Sequence, residues 1–427
     1  MQDTVCCGCS VVCDDVAVSM KKNKLQSLGL CRLGHEYCAS IFNKSRLKKP
    51  LQRTKTGKLK TVPMEVAMQQ AVMLLQEAKK VLYLGWSNST QESIQIGLEL
   101  AQQTRGVFDS TASFEYGHLL DTKLNGGEAG YLNLDKVRDF SDHIVYWGVN
   151  PAESHHRHAS RFTVFPKGKN VPEGRESRIV AVIDIRETES MRLANHQLIL
   201  SPGTGDVEFF QYLIKELEGT QDRLPEKVGG VPSIEFLSFA KQLRDAEYVA
   251  LFYGNGLIHS MHSDLTLPLL AKLKKLLNRG NQKCWILPMI WHCNTIGAVK
   301  TTVESTKFPF TVDFSSEKVK QINSIEESIL NSEFDCIVIA SWDGLSFLPG
   351  PVAKVLSNLP IITFSTQPTL TSKRSTIVFP VALTGAETQG TVYRMDGTAI
   401  QLQPFSQPPK GVHSEEELLR QLLNQIS

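Results

Sequence analysis

A chain of 427 residues is too long for one small core and suits two or three packed lobes. Its 41% hydrophobic and 21% charged residues are those of an ordinary globular protein, and a formal net charge of +2 gives no reason to expect nucleic acid or an anionic membrane as partner. No apolar run reaches the length of a membrane span, and the opening MQDTVCCGCS has neither the basic start nor the apolar stretch of a signal peptide, so the cytoplasm is the expected compartment.

In chain order, the first 60 residues carry cysteines and turn basic toward their end, and alternation in VAVSM and LQSLGL predicts small strands around a cysteine-lined loop. From Pro63 the apolar residues Met64, Ala67, Ala71, Leu74 and Leu75 fall at helical spacing. VLYLG (81–85) reads as a buried strand ending in a Gly loop, and SIQIGLELAQQ as the helix after it. The rhythm repeats in HIVYWG (143–148), IVAVID (179–184), YVALFY ahead of Gly254, CWILPM (284–289), CIVIAS (336–341) and LPIITF (359–364). Helices are predicted over VEFFQYLIKEL, IEFLSFAKQLRD and LTLPLLAKLKKLLN. The strand runs are continuous rather than alternating, as parallel strands covered on both faces require, so the expected fold class is α/β. The Pro/Gly-rich segment 164–178 reads as a surface loop, and SEEELLRQLLNQIS as an amphipathic helix opened by a Ser414/Glu417 capping box.

Six of the nine cysteines fall in the first 38 residues, a clustering that points to metal rather than disulfides. Cys6, Cys9, Cys13 and Cys31 form C-x2-C-x3-C-x17-C. Three thiolates on a tight loop and a fourth returning from downstream can surround one [4Fe-4S] cluster, and thiolate suits soft iron. Zinc would accept the same four ligands, though structural zinc more often takes paired C-x2-C halves. A cysteine-rich loop without metal is the third reading. Cys7 is set aside because it adjoins Cys6, Cys38 lies beyond Cys31 by one or two helical turns, and Cys284, Cys293 and Cys336 read as small buried hydrophobes.

The cysteine run followed by Asp14 and Asp15, with CRLG at 31–34, resembles the opening of the molybdopterin/tungstopterin oxidoreductase superfamily, and more narrowly the catalytic B subunit of formylmethanofuran dehydrogenase. YWGVNPAESHHRHASRFTVFPKG (146–168), DIRETES (184–190), PMIWHCNTIGA (288–298) and FPVALTGAETQGTVYRMDG (379–397) are similar to further blocks of that family, in the same order. The resemblance implies a small N-terminal iron–sulfur-type domain (1–60), a discontinuous Rossmann-like domain (61–133 and 301–405), a second Rossmann-like doubly wound domain (134–300) and a C-terminal helix (406–427). Gly148, Asn150 and Pro151 follow one predicted strand, Asp184 ends another, and Gly254 and Gly256 follow a third, so all six line the carboxyl ends of parallel strands where ligands bind. By the resemblance that ligand would be two pterin guanine dinucleotides. Taken singly, each glycine is accounted for by a tight turn.

Two stretches depart from the family. Where it places a metal-binding Cys or selenocysteine followed by His, this chain has Glu115 and Tyr116, within Ser110–Gly117. A carboxylate can bind molybdenum in some relatives, but a hard oxygen ligand changes the metal's electronics, and the neighbouring proton carrier is gone. After Pro288 and Met289 the family shows Arg-Gly-His; here Ile290 and Trp291 precede the retained His292, and Trp291 is expected to fill space that a cofactor or substrate would use. The resemblance therefore implies a redox-inactive relative with its pterin site vestigial and molybdopterin or tungstopterin absent. It would be a B-type subunit in the formyltransferase/hydrolase complexes of bacterial one-carbon metabolism, where formaldehyde is carried to formate. The implied partners are a formyltransferase, an amidohydrolase-like hydrolase, a C-like subunit and a methanofuran-type carrier, with transfer and hydrolysis done on the other subunits. The alternatives are an active tungsten or molybdenum dehydrogenase with Glu115 as ligand, an electron-transfer subunit using the cluster alone, and a formate dehydrogenase relative without methanofuran.

His155, His156 and His158, with Arg157 and Arg161, are candidates for meeting pyrophosphate or a polyglutamate tail of the carrier, or else polar residues of a subunit contact. His259 and His262 are a two-ligand metal candidate or a solvated face. No nucleophile elbow, P-loop, HExxH or Ser/His/Asp spacing appears, which speaks against an independent hydrolase.

Overall fold

The computed structural model describes residues 1–22, 24–116, 133–221 and 223–426. The chain divides into two compact units, one of Met1–Gly117, His292–Arg394 and Ala399–Ser427, the other of His118–Trp291 and Met395–Thr398.

The first unit opens with a three-stranded antiparallel sheet of Gln2–Cys6, Cys13–Lys21 and Lys24–Leu28, followed by the helix Arg32–Ala39. Among the described residues its main sheet has nine strands, with five parallel ones at the centre: Val107–Phe108, Val81–Gly85, Cys336–Ala340, Ile361–Ser365 and Ile377–Pro380. Short antiparallel strands flank them on each side. Successive strand residues bury against opposite layers. Val81 and Tyr83 join Val338, Ile362 and Phe364 under the helices Met64–Glu77, Gln91–Gln103 and Glu415–Ile426, while Leu82 and Leu84 join Ile337, Ile339 and Ile361 under Ile325–Leu330 and Gly350–Leu356. This is why the runs are continuously apolar. The final helix starts as its sequence predicts: Glu417 N donates to Ser414 Oγ at 3.1 Å, and Ser414 N to Glu417 Oε2 at 3.3 Å.

The second unit has a five-stranded, all-parallel sheet in the order His196–Ile199, Ile179–Asp184, His143–Trp147, Tyr248–Tyr253, Lys283–Pro288. Counted in chain order from His143–Trp147, this is 3-2-1-4-5, a doubly wound arrangement whose order reverses between His143–Trp147 and Tyr248–Tyr253. The segment 164–178 is a surface loop, as expected, anchored at a few points. Val164 and Val171 are buried, and the buried Arg178 guanidinium donates to the carbonyls of Ser141, Val164, Pro166 and Arg138, pinning the loop down. No helix among the described residues is long and apolar enough to cross a membrane.

Candidate functional site

The first candidate site is the N-terminal hairpin. Cys6 and Cys13 stand opposite each other at the end of the antiparallel pair, with Cys9 in the loop between them. The loop is tight: Val12 takes a φ of 40°, and its N–H donates to Cys9 O at 3.1 Å. Cys31 is the N-cap of the following helix, its sulfur accepting from Gly34 N at 3.4 Å, and Gly8 N points at Cys6 Sγ at 3.4 Å. A Cβ at Gly34 would lie 2.7 Å from Cys6 Sγ and 3.7 Å from Cys31 Sγ, so both sulfurs border a residue that has no room for a side chain. Burial pushes the Cys9 thiol up, and Cys6, Cys13 and Cys31 are all near enough to push it further. Four thiols with amide N–H groups aimed at two of them form a donor set suited to an iron–sulfur cluster. Among the described residues no group of three or more His, Cys, Asp or Glu side chains is already arranged as a metal cage.

Two further contacts join distant cysteines. Cys7 lies beside Cys293, and Cys6 beside Cys38; in each case the neighbouring thiol, ahead of burial, holds the first-named thiol well above its ordinary range. Cys293 is buried as its sequence context predicts, yet it also shares an apolar cluster with Val5, Cys7, Val12 and Val392.

The second candidate site lies at the carboxyl edge of the first unit's parallel strands. Their order reverses between Val81–Gly85 and Cys336–Ala340. Gly85, at φ 105°, permits the close approach to the Ala340 carbonyl there. Glu115, on the short helix Ala112–Tyr116, has Oε1 2.9 Å from His292 Nε2 and accepts from Thr111 Oγ1 through Oε2 at 3.3 Å. Thr111 Oγ1 in turn lies 2.7 Å from Ser87 Oγ. Asn294 fixes the other side of this network. Its N–H donates to Ser87 O and its Nδ2 to Ser89 O, both at 2.8 Å, while Oδ1 accepts from Tyr393 N at 2.7 Å. Oε2 is thus hydrogen-bonded within the chain, while Oε1 lies at contact distance from His292 Nε2, which makes no hydrogen bond of good geometry. Asp109 lies nearby in sequence, and burial pushes its carboxyl up to about 7 although Ser113 Oγ and Thr311 N both donate to it. Gly117 and the Tyr116 side chain lie outside the described residues. Ile290 is buried, whereas Trp291 is 41% exposed.

The third set sits at the point of strand-order reversal in the second unit. Gly148 takes a φ of 60°, its carbonyl accepts from Gly256 N at 2.9 Å, and a Cβ there would stand 2.6 Å from Leu257 N. Gly254 N donates to Trp147 O at 3.1 Å, and a Cβ at Gly254 would lie 2.6 Å from Val149 Cβ. The two loops therefore pack on each other, and this contact alone accounts for the glycines. Asn150 Oδ1 accepts from Ser190 Oγ at 2.6 Å and its Nδ2 donates to Glu189 at 3.1 Å, while Pro151 opens the short helix Pro151–Ser154. Asp184 caps its own following amide, Ile185 N, at 2.8 Å, and burial raises its carboxyl.

Two of the three histidines behind this edge turn inward. His155 and His158 are fully buried. His155 Nε2 lies 2.7 Å from Ile290 O, and His158 Nδ1 lies 3.1 Å from Tyr146 OH with its ring edge-on to Phe252. Burial brings His155 down to about 4 and holds His158 well below its ordinary value, so both are neutral packing elements near neutral pH. His259 ends the short helix Asn255–Ile258 and His262 precedes the helix Ser263–Leu276, so the two do not share one helix face.

No family model matches the chain. Two curated proteins align with all of it. The B subunit of the tungsten-containing formylmethanofuran dehydrogenase 2 of Methanocaldococcus jannaschii is 30% identical over 433 residues, and that of Methanococcus maripaludis 29% over 432, each with 98% of its own length covered. Among solved structures, the fold is similar to a chain in the crystal structure of the formyltransferase/hydrolase complex from Methylorubrum extorquens in complex with methylofuran, with a TM-score of 0.66 and 15% identity over 88% of this chain and 98% of that one. It is also similar to acetylene hydratase from Pelobacter acetylenicus, with a TM-score of 0.68 and 12% identity over 100% of this chain and 69% of that one.

Proposed function

The chain belongs to the family of formylmethanofuran dehydrogenase B subunits, and we propose that it organises a formyl-transferring complex without running the redox reaction itself. The observation that carries this reading is the engagement of Glu115. The side chain standing where the family presents its metal ligand has one oxygen 2.9 Å from His292 Nε2 and the other hydrogen-bonded to Thr111. A carboxylate held in this way has to share an oxygen already in use, or turn away from Thr111 or His292, before it can bind a tungsten or molybdenum ion. The close packing of Gly148 against Gly256 and Leu257 supports a vestigial pterin site, with molybdopterin and tungstopterin absent.

In this reading the first 60 residues form an iron–sulfur-type domain, and Cys6, Cys9, Cys13 and Cys31 hold one [4Fe-4S] cluster. A cluster bound there supplies one-electron chemistry or acts as a staple. The four thiols give up their protons to bind it, and the Gly8 and Gly34 amides steady the sulfurs. The partners are a formyltransferase, an amidohydrolase-like hydrolase and a C-like subunit, with a methanofuran-type carrier reaching the complex; similarity to a chain of the Methylorubrum extorquens complex supports this. The assembly would work in the cytoplasm, in one-carbon metabolism.

The second reading is an active tungsten or molybdenum dehydrogenase with Glu115 as ligand, favoured by the tungsten-containing relatives. Elemental analysis of the purified complex separates the two. Absence of both metals with formyl transfer intact is the expected result, and stoichiometric tungsten or molybdenum overturns the redox-inactive reading.

A further inference from the structure

Between Glu36 and Glu65 the chain has eight Lys and Arg residues and no Asp or Glu, against a formal net charge of only +2 for the whole. This run forms one edge of the first unit's main sheet. Leu51–Arg53 pairs with the end strand Leu59–Thr61 and, on its other side, with Ile377–Pro380. Leu47 N donates to Thr366 O at 3.0 Å and Asn43 Nδ2 to Gln367 Oε1 at 2.8 Å, while the Arg53 guanidinium donates to the carbonyls of Gly57, Lys373 and Ser375. The Arg53 contacts bring Lys373 and Arg374, in the last turn of the short helix Leu370–Arg374, beside the hairpin. Lys44, Lys48, Lys49, Lys55, Lys58, Lys60, Lys373 and Arg374 are all exposed. Among the described residues the only cation of this edge paired with a carboxylate is Arg46, whose partner Glu387 is buried.

Protection of a sheet edge explains part of this pattern. Lysines on an end strand discourage pairing with a further strand, and Lys58 and Lys60 stand where that is needed. Lys44, Lys48 and Lys49 lie in the connection before the strands, and Lys373 and Arg374 lie on a helix, so edge protection leaves them unexplained. Like charges gathered without counter-charges repel one another, and carboxylates brought against them relieve that repulsion. Nucleic acid is the less suitable source of negative charge. The segment 43–61 has no Phe, Tyr or Trp on which bases could stack, and the rest of the chain offsets its positive charge. Leu370, on the same helix as Lys373 and Arg374, is 47% exposed and supplies an apolar contact of the kind a protein interface uses.

We infer that this basic sheet edge docks the acidic face of another subunit of the complex. The inference rests on the reading of the chain as the organiser of such a complex.

The test treats the purified complex with a water-soluble carbodiimide, which joins a lysine amine directly to a carboxylate in contact with it. Peptide mass spectrometry is expected to find lysines of this edge, Lys55, Lys58 and Lys373 among them, joined to Asp or Glu of one other subunit. A Lys55→Glu/Lys58→Glu/Lys60→Glu chain with the thermal midpoint of the wild type is expected to bind that subunit about tenfold more weakly or worse, and wild-type binding is expected to weaken as salt is raised. No cross-link from these lysines, with a variant that assembles as well as the wild type, overturns the docking surface and leaves the organising role standing. A chain that purifies free of every other subunit overturns both. Salt-sensitive binding of a mixed-sequence RNA to the wild type, lost in the variant and without any cross-link to a subunit, assigns the edge to nucleic acid and likewise overturns the inference.

Discussion

Glu115 and His292 face each other with Oε1 and Nε2 2.9 Å apart, their side chains 11% and 15% exposed. Removing one member of so enclosed a pair leaves the other without its partner, a loss larger than that of a surface ion pair. His292→Ala is expected to destabilise the first unit by about 1–2 kcal/mol, from the lost packing and a Glu115 oxygen left without its neighbour. Glu115→Gln keeps an acceptor for Thr111 and should cost less. The double variant Glu115→Ala/His292→Ala should cost clearly less than the two single alanine variants added together. Urea denaturation of wild type, the two single alanine variants and the double variant reads this coupling directly, and strict additivity would mean that the pair contributes nothing.

Gly34 sets a second test. On helix propensity alone, Gly34→Ala inside Arg32–Ala39 should stabilise the helix by about 1 kcal/mol. The added Cβ would nevertheless lie 2.7 Å from Cys6 Sγ and 3.2 Å from Leu30 Cδ2. The contact should win over the propensity, because Cys6 is anchored in a strand and cannot withdraw freely. The expected outcome is lower iron incorporation on reconstitution, with the far-ultraviolet helix signal preserved. Wild-type iron content would show that the hairpin yields and that Gly34 does not shape the site.

The strands Val81–Gly85 and Ile179–Asp184 are legible in the sequence residue for residue, because burial on both faces demands an unbroken apolar run and Gly or Asp marks the exit. Which strands become neighbours is not legible. Val81–Gly85 pairs with Cys336–Ala340 from the far end of the chain, and nothing local to either announces it. The same limit hides the contacts of Cys7 with Cys293 and of Glu115 with His292, although each residue stands out alone. His155, His158 and Arg178 mislead for a different reason. They are polar letters in polar-looking segments, but the Ile290 carbonyl, the Tyr146 hydroxyl and a ring of loop carbonyls give each of them a partner inside. Burial of a satisfied polar group leaves no periodic trace in sequence. The functional reading is legible only through resemblance, since spacing alone leaves the metal of the four cysteines open.

Gly148 and Gly219 separate strain from crowding. Both have positive φ, 60° and 69°, but a Cβ at Gly219 meets nothing within 4 Å, whereas at Gly148 it would stand 2.6 Å from the Leu257 backbone nitrogen. Gly219→Ala should therefore cost only the left-handed penalty of about 1 kcal/mol. Gly148→Ala adds a backbone collision between two loops and should cost about 3 kcal/mol or more. Denaturant midpoints of the two variants test the difference. Equal losses would mean that the loops after the two strands separate easily, and the point of strand-order reversal would then have room to open for a ligand.

The buried histidines predict acid sensitivity. His155 is brought down to about 4 by burial, against the pull of the Ile290 carbonyl, and His158 lies well below its ordinary value for the same first cause. Between about 4 and the unfolded value of about 6.5, the unfolded chain binds more protons than the folded one, so stability rises with pH across that window and is lost as pH falls through it. For His155 the gap corresponds to at most about 3 kcal/mol. Asp109 works in the opposite sense: its carboxyl is pushed up to about 7, so the folded chain holds that proton more tightly and stability falls as pH rises from about 4 to 7. The measured slope is the sum of the two effects, and variants resolve it. His155→Gln, which keeps an N–H for the Ile290 carbonyl, should flatten the acid limb of a stability-against-pH profile, while Asp109→Asn should steepen it. A profile unchanged in both variants would mean that neither group titrates differently in the folded and unfolded chain, and the account of His155 as a neutral packing element would fall.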